Sequence, residues 1–311
     1  MKILMCLILS VLMVLMLFAA CDGSGGNSET DQTEASTQQT IDPNAPLSDG
    51  NTLKVLAIGN SFSNNTTEYL YDIAKAEGVT DIVIGRLYIS GCTLAMHVEN
   101  AKSNAAAYIY YKNNSGKWER IESASLLYAL QDEDWDIITM QQGSGASGVK
   151  ETYIGTVDQL VGYVNENKTN PNARLVWHMT WAYQEGSTNS GFIAYYNNQL
   201  IMYTKITEAV QQVIEPMSAF HSVIPVGTAI QNVRTSHIGD NLTHDTYHLN
   251  DLGKVIGGYT WYAHFTGKPL QAINLTEVNS TFTLTDSEKA VIIEAVNAAI
   301  ETPYAVTQST N

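Results

Sequence analysis

Residues 53–63 read Leu53-Lys54-Val55-Leu56-Ala57-Ile58-Gly59-Asn60-Ser61-Phe62-Ser63. Apart from Lys54, the first six are apolar, a run too short for a helix and with no polar face. That is the pattern of a strand covered on both sides, as in a parallel sheet. Gly59 ends the run. A helical pattern over residues 64–77 follows, with Asn64 or Asn65 as its cap, Leu70, Ile73 and Ala74 on one face, and Gly78 just past its end. A strand running through a tight turn into a helix puts Ser61 at the carboxyl end of a central strand. Its hydroxyl is exposed there, and its backbone N–H lies near a helix N-terminus that favours negative charge.

The same alternation continues outward. Further strands are expected over 81–87, 136–141, 174–179 and 222–226. Helices are expected over 123–131, 152–167, 192–214, 250–266 and 287–301. Residues 108–111 and 118–121, joined by Asn113-Asn114-Ser115-Gly116, read as a β-hairpin outside the main sheet. Apolar strands separated by helices make an α/β domain with a five-stranded parallel sheet covered on both faces. In such folds ligands gather at the carboxyl ends of the strands.

The ends of the chain carry different signals. Lys2, the apolar stretch 3–18 and the small residues Ala19 and Ala20 lead into Cys21, which is how a bacterial lipoprotein signal reads. The Phe18-Ala19-Ala20-Cys21 stretch resembles a lipobox, which implies cleavage before Cys21 and a diacylglyceryl thioether on its sulfur. Residues 1–20 are therefore the expected signal peptide and 21–52 a polar, disordered tether. Residues 53–302 are the domain and 303–311 a tail. The folded part then lies outside the cytoplasm, held to a membrane through Cys21. Of three cysteines, Cys92 alone remains in the domain, which excludes an intrachain disulfide and a cysteine-based metal site. Its small, apolar neighbours point to a buried, inert thiol. The net charge of −15 excludes nucleic acid, which needs a basic footprint.

Near the other end of the domain stands Asp245-Thr246-Tyr247-His248-Leu249-Asn250, ahead of an apolar helix. Asp and His three residues apart on one turn can set a carboxylate beside an imidazole. A serine hydroxyl is a poor nucleophile at neutral pH. It needs a base within hydrogen-bond reach, and that base needs a partner to fix its tautomer. Either motif alone is common, the serine as a helix cap and the Asp-x-x-His as a structural bond. Together, in this order and at opposite ends of an α/β domain, they point to nucleophilic catalysis.

With these residues the chain resembles the SGNH (GDSL) hydrolases, and within them a bacterial branch whose nucleophile motif is Gly-Asn-Ser-Phe-Ser. The resemblance spans about residues 53–268. It implies a flavodoxin-like three-layer α/β/α sandwich, with Ser61 as nucleophile and Asp245 and His248 as the other triad members. It also implies an oxyanion hole built from the N–H groups of Ser61 and of Gly91, in Ser90-Gly91-Cys92-Thr93-Leu94. The family's third block, usually Gly-x-Asn-Asp, is replaced by Met140-Gln141-Gln142-Gly143-Ser144. The side-chain amide of Gln142 is the expected substitute donor, with Gln141 competing.

Other candidates surround this constellation. His178, Trp181 and Tyr183 follow the fourth strand, where an aromatic wall suits the apolar face of a sugar ring. His178, Trp181 and Asn60 are candidates for substrate binding, with plain packing in the core as the alternative for His178 and the aromatic residues. His97 is expected at a helix cap or on the surface. His237, His244 and His248, with Asp240 and Asp245, lack the spacing of a helical zinc pair, so neither a metal nor any other cofactor is expected. The reading is an extracytoplasmic serine esterase acting on an acylated carbohydrate or another small ester. Its alternatives are a lipase, thioesterase or acyltransferase of the same fold, and a surface glycan-binding lipoprotein without catalysis.

Overall fold

A computed structural model describes residues 45–279 and 281–311. The expected signal peptide, the expected lipidation site Cys21 and most of the expected tether lie outside these residues. The elements run β1 (Thr52–Gly59), α1 (Ser61–Thr67), α2 (Leu70–Ala76), β2 (Asp81–Tyr88), α3 (Leu94–Ser103), β3 (Tyr108–Asn113), β4 (Glu119–Ala124) and α4 (Leu126–Gln131). Then come β5 (Ile137–Met140), α5 (Thr156–Asn167), β6 (Arg174–His178), α6 (Gln199–Ala209), β7 (Phe220–Ile224) and α7 (Val226–Val233). The last are α8 (Asp251–Thr266), the small pair β8 (Glu277–Asn279) and β9 (Phe282–Thr283), and α9 (Asp286–Glu301).

The main sheet has seven strands in the order β4-β3-β2-β1-β5-β6-β7. Its five parallel members are the five strands expected. Their spatial order, second-first-third-fourth-fifth, is that of flavodoxin-like folds. The hairpin does not stand outside the sheet. β3 pairs antiparallel with β2, from Ile84 opposite Asn113 to Tyr88 opposite Ile109, and β4 extends the edge. Tyr108 and Tyr110 are fully buried, so the hairpin contributes one face to the core. Helices α1, α2, α7, α8 and α9 pack among themselves, as do α3, α4 and α5. The strand order reverses at β1, whose neighbours β2 and β5 both run parallel to it, and such a reversal is where these sheets open a crevice. Ser61 follows β1 directly.

Several helices differ from expectation for local reasons. The helix expected over 64–77 begins at Ser61, because Asn60 rather than Asn64 or Asn65 caps it, its Oδ1 accepting from Phe62 N at 2.9 Å. It ends at Thr67. Thr66 and Thr67 turn their hydroxyls back onto the carbonyls of Ser63 and Phe62, a habit that weakens helices. Residues 192–214 do not form one helix. Tyr196 and Asn197 adopt left-handed φ of 55° and 52°, and Asn198 then caps α6. Helix α4 starts at Leu126 under a Ser125 cap, and α5 starts after Gly155. Helices α3 and α7 were not anticipated. The second starts at Val226 behind Pro225, so the fifth strand ends at Ile224, two residues before the end expected.

Both ends of the described chain are tied down. Arg174 donates to the carbonyls of Ala45 and Pro46 at 3.2 and 3.0 Å, and Ser48 N donates to Phe265 O at 2.8 Å. Residues 45–51 therefore belong to the domain rather than to a tether, with Leu47 buried in the core. The tail is likewise docked. Thr307 N donates to Asn232 Oδ1 at 2.8 Å, and Ser309, Thr310 and Asn311 surround Glu294.

Candidate active site

At the end of β1 the chain passes unusually close to β5. A Cβ on Gly59 would lie 2.5 Å from Ser63 Oγ and 3.0 Å from Gln141 Cδ, so only glycine fits there. The next residue, Asn60, is buried and fully used. Its Oδ1 accepts from Phe62 N and from Gln141 Nε2 (2.8 Å), while its Nδ2 donates to Cys92 O at 3.0 Å. Ser61 is thereby held in the first turn of α1, with its hydroxyl partly exposed.

The Ser61 hydroxyl donates to His248 Nε2 at 2.8 Å, across 187 positions of sequence. On the far side of the imidazole, Nδ1–H donates to Asp245 Oδ2 at 2.6 Å. The other carboxylate oxygen accepts the backbone N–H of His248 at 2.7 Å and of Tyr247 at 3.3 Å. Partial burial raises the Asp245 carboxyl. The hydrogen bonds from the imidazole and the two N–H groups outweigh it and leave the pKa below the ordinary carboxylate value. Asp245 is thus ionised at neutral pH, the state that orients an imidazole with its Nε2 lone pair toward serine.

The loop carrying Asp245 and His248 is a small closed turn. Thr243 and Leu249 form an antiparallel bridge, and His244 N donates to His248 O at 3.0 Å. At its tip Thr246 sits at φ 76°, a conformation that costs a β-branched residue roughly 1–3 kcal/mol. Neighbours enforce it. Gln184 N donates to Thr246 O at 2.8 Å, and the Ser187 and Thr246 hydroxyls share a bond of 2.8 Å. Three further bonds tie this loop and the start of α8 to their surroundings. Leu249 N donates to Asn65 Oδ1 (2.9 Å), Tyr69 Oη to Asp251 Oδ1 (2.7 Å) and Trp181 Nε1 to Tyr247 O (2.8 Å). None of Asn65, Tyr69, Thr246 or Gln184 was anticipated in these roles, because each bond joins segments far apart in sequence.

Of the oxyanion donors expected, two are backbone groups. Gly91 is exposed at φ 63°, in a turn where glycine is favoured. Among the described residues, neither its N–H nor that of Ser61 has an acceptor. Gln142 is different. Its Oε1 accepts from Leu94 N (3.0 Å) and Gly143 N (2.8 Å), and its Nε2 donates to Thr152 Oγ1 (2.9 Å). An amide 2 % exposed with both ends engaged is a brace between loops, not a free donor. The competing Gln141 is equally committed, to Asn60 on one side and to His178 Nδ1 at 2.8 Å on the other.

The expected substrate-binding trio is corrected on the same ground. Asn60, His178 and Trp181 are buried, Trp181 completely, with its ring stacked 4.0 Å from that of Phe62. Burial pushes the His178 imidazole down to about 3, so it is neutral. A partly exposed aromatic side chain that flanks His248 is Tyr247, half-buried, with its ring centre 4.1 Å from that of the imidazole. Tyr183 is buried behind it and bonds the Ser144 hydroxyl at 2.9 Å. His97, expected at a cap or on the surface, is buried against Tyr108. Cys92 is buried, which pushes its thiol up to about 12.

Among the described residues, His244, Asp245 and His248 place possible ligand atoms within 4.8 Å of one another. Asp245 and His248 are already bonded to each other, and His248 to Ser61, so the cluster is part of the hydrogen-bonded array. Among the described residues, no helix is long and apolar enough to cross a membrane.

Comparison with known proteins adds a family. No curated protein matches the chain. A crystal structure of a DUF4886 family protein from Bacteroides uniformis ATCC 8492 is 37% identical, with a TM-score of 0.75, covering 83% of this chain and 98% of that one. A candidate SGNH hydrolase from Slackia heliotrinireducens is 17% identical with a TM-score of 0.45, covering 69% and 99% of the two chains. A candidate platelet activating factor from Streptococcus pneumonia is 15% identical with a TM-score of 0.46, covering 69% and 84%. Likenesses of that degree do not bear on the reaction. The family model for DUF4886, a domain of unknown function, matches residues 54–286, and the chain belongs to that family.

Proposed function

We propose that this protein is an extracytoplasmic serine esterase of SGNH type that removes acetyl or other small acyl groups from a polysaccharide. One observation carries the reading: the unbroken series from Ser61 Oγ through His248 to Asp245, with bonds of 2.8 and 2.6 Å. His248 Nε2 takes the Ser61 proton as Oγ attacks the ester carbonyl. The N–H groups of Ser61 and Gly91 hold the oxyanion, and Asp245 stabilises the imidazolium. The tetrahedral intermediate collapses as His248 passes the proton to the leaving alcohol. Water, deprotonated by His248, then attacks the acyl-serine and releases the acid and the free hydroxyl. No cofactor enters these steps.

The openness of the site supports a bulky alcohol. The Asp245 and His248 side chains are 35% and 22% exposed, and the Tyr247 ring beside them offers a surface on which a sugar ring can stack. The lipobox-like signal over residues 1–21 supports the extracytoplasmic location. A catalytically silent glycan-binding protein is the second reading, favoured by the absence of a free side-chain amide at the Gln142 position.

The test is hydrolysis of p-nitrophenyl acetate and longer esters, and acetate release from acetylated polysaccharides, by residues 45–311 and by Ser61→Ala. Ser61-dependent activity on the acetyl ester that falls with acyl length is expected. Equal rates in the two proteins would remove the esterase reading, and activity rising with acyl length would favour a lipase or thioesterase. Glycan binding by both, with no turnover, would select the second reading.

A further inference from the structure

Three buried polar side chains lie directly behind the nucleophile, and their bonding can be deduced outward from the backbone. Phe62 N–H can only donate, so the Asn60 atom it meets is Oδ1. Cys92 O can only accept, so the other amide atom is Nδ2. The Gln141 atom at 2.8 Å from Asn60 Oδ1 must then be Nε2, which turns Oε1 toward His178. His178 Nδ1, 2.8 Å from Oε1, must therefore carry the proton. Every amide orientation and the imidazole tautomer follow from two main-chain groups. All three residues are at most 1% exposed, so no solvent competes with the series. Burial also keeps His178 neutral, which leaves the single tautomer in place throughout the working pH range.

What this series joins gives it a use. Asn60 touches both the turn that carries Ser61 and the loop that carries Gly91, through Phe62 N and Cys92 O. These are the neighbours of the two backbone N–H groups assigned to the oxyanion. Left alone, an asparagine amide at this position could rotate and break both contacts. Gln141 prevents that by donating to Oδ1, and His178 fixes which end of Gln141 faces inward.

We propose that His178 and Gln141 are positioning residues, which act through Asn60 to hold the Ser61 turn and the Gly91 loop at the spacing that forms the oxyanion hole. The block that departs from the SGNH pattern then retains a part in the same task, pinning the backbone donors from behind instead of supplying an amide. This inference rests on the esterase reading.

The experiment compares Gln141→Met and His178→Phe, which delete the bonds at similar volume, with His178→Asn, whose side-chain amide can again donate toward Gln141. For each folded variant, kcat and KM are measured on p-nitrophenyl acetate. The Phe62 and Gly91 amide resonances are followed by 1H–15N NMR. The expectation is a fall in kcat of about 10- to 100-fold in the first two variants, with KM within about twofold, both amides displaced, and recovery of both readouts in His178→Asn. Unchanged kcat and unmoved amides in Gln141→Met would overturn the proposal. So would a loss in His178→Asn as large as in His178→Phe. Should the wild-type protein hydrolyse no ester, the esterase reading fails, and the amide resonances still decide the positioning role: displacement with recovery upholds it, and their indifference overturns it.

Discussion

Asp245→Asn changes one atom of the triad, and the structure allows its effect to be worked out. In the proposed reaction His248 takes the serine proton, and its positive charge then lies about 4 Å from the carboxylate's charge centre. At an effective dielectric of ~20 that attraction is worth about 4 kcal/mol. The two side chains are 22% and 35% exposed, so water screens the pair, and a dielectric of ~40 brings the figure to about 2 kcal/mol. Loss of charge alone therefore slows the reaction by roughly 30- to 1,000-fold. Geometry adds a second penalty. The oxygen facing the His248 and Tyr247 N–H groups must remain an oxygen, so the new amide turns its NH2 toward His248 Nδ1. The imidazole then carries its proton on Nε2 and cannot accept one from Ser61. The expected outcome is a fall in kcat of at least about 10³-fold, with the fold retained, measured on p-nitrophenyl acetate from pH 6 to 9 alongside thermal melts. A loss of less than about tenfold at unchanged Tm would refute the assignment of Asp245.

Other substitutions separate chemistry from architecture. Gln142→Leu strands the N–H groups of Leu94 and Gly143, and should cost about 2–5 kcal/mol in denaturant unfolding while kcat of the folded protein stays within about threefold. A loss of 10²-fold or more in kcat at full stability would return Gln142 to the oxyanion hole. Trp181→Ala empties a fully buried site against Phe62 and should cost about 3–5 kcal/mol. A weaker KM with unchanged stability would instead mean that Trp181 meets substrate. The buried imidazoles of His97 and His178 have pKa values of about 4 and about 3, below the ordinary 6.5. The unfolded chain binds more protons there, so their contribution to stability is intact above pH 6.5 and is lost as pH falls toward 4, by at most about 3 kcal/mol per pH unit. Urea melts at pH 7, 6 and 5 should show the decline, and His178→Asn should make it shallower without abolishing it; an identical slope in that variant would contradict the burial argument.

What could be read from sequence was whatever is local. The strand before Gly59, the serine after it and the Asp-x-x-His turn each lie within a few residues, and the alternation of strands and helices fixed the layer order. What escaped depends on partners remote in sequence. Whether Gln142 faces the reaction or braces Leu94 and Thr152 is decided by loops 10 and 48 positions away. The strand-end rule located His178 and Trp181 along β6 and beyond it but could not say which way each side chain turns. Both turn into the core, whereas Tyr247, on the base loop itself, stays half-exposed. The hairpin was recognisable, but its pairing partner was not, because nothing within residues 108–121 indicates that β2 presents an open edge. The division of 192–214 was in principle visible, since Asn197-Asn198 combines a residue tolerant of left-handed φ with a good cap.

The most direct test of Ser61 as an activated nucleophile is mass spectrometry of the protein after treatment with a fluorophosphonate. A single adduct on the peptide containing Ser61 is expected, absent from Ser61→Ala and formed far more slowly in His248→Gln. No adduct, or one on another residue such as Ser63 or Ser144, would contradict the mechanism set out above.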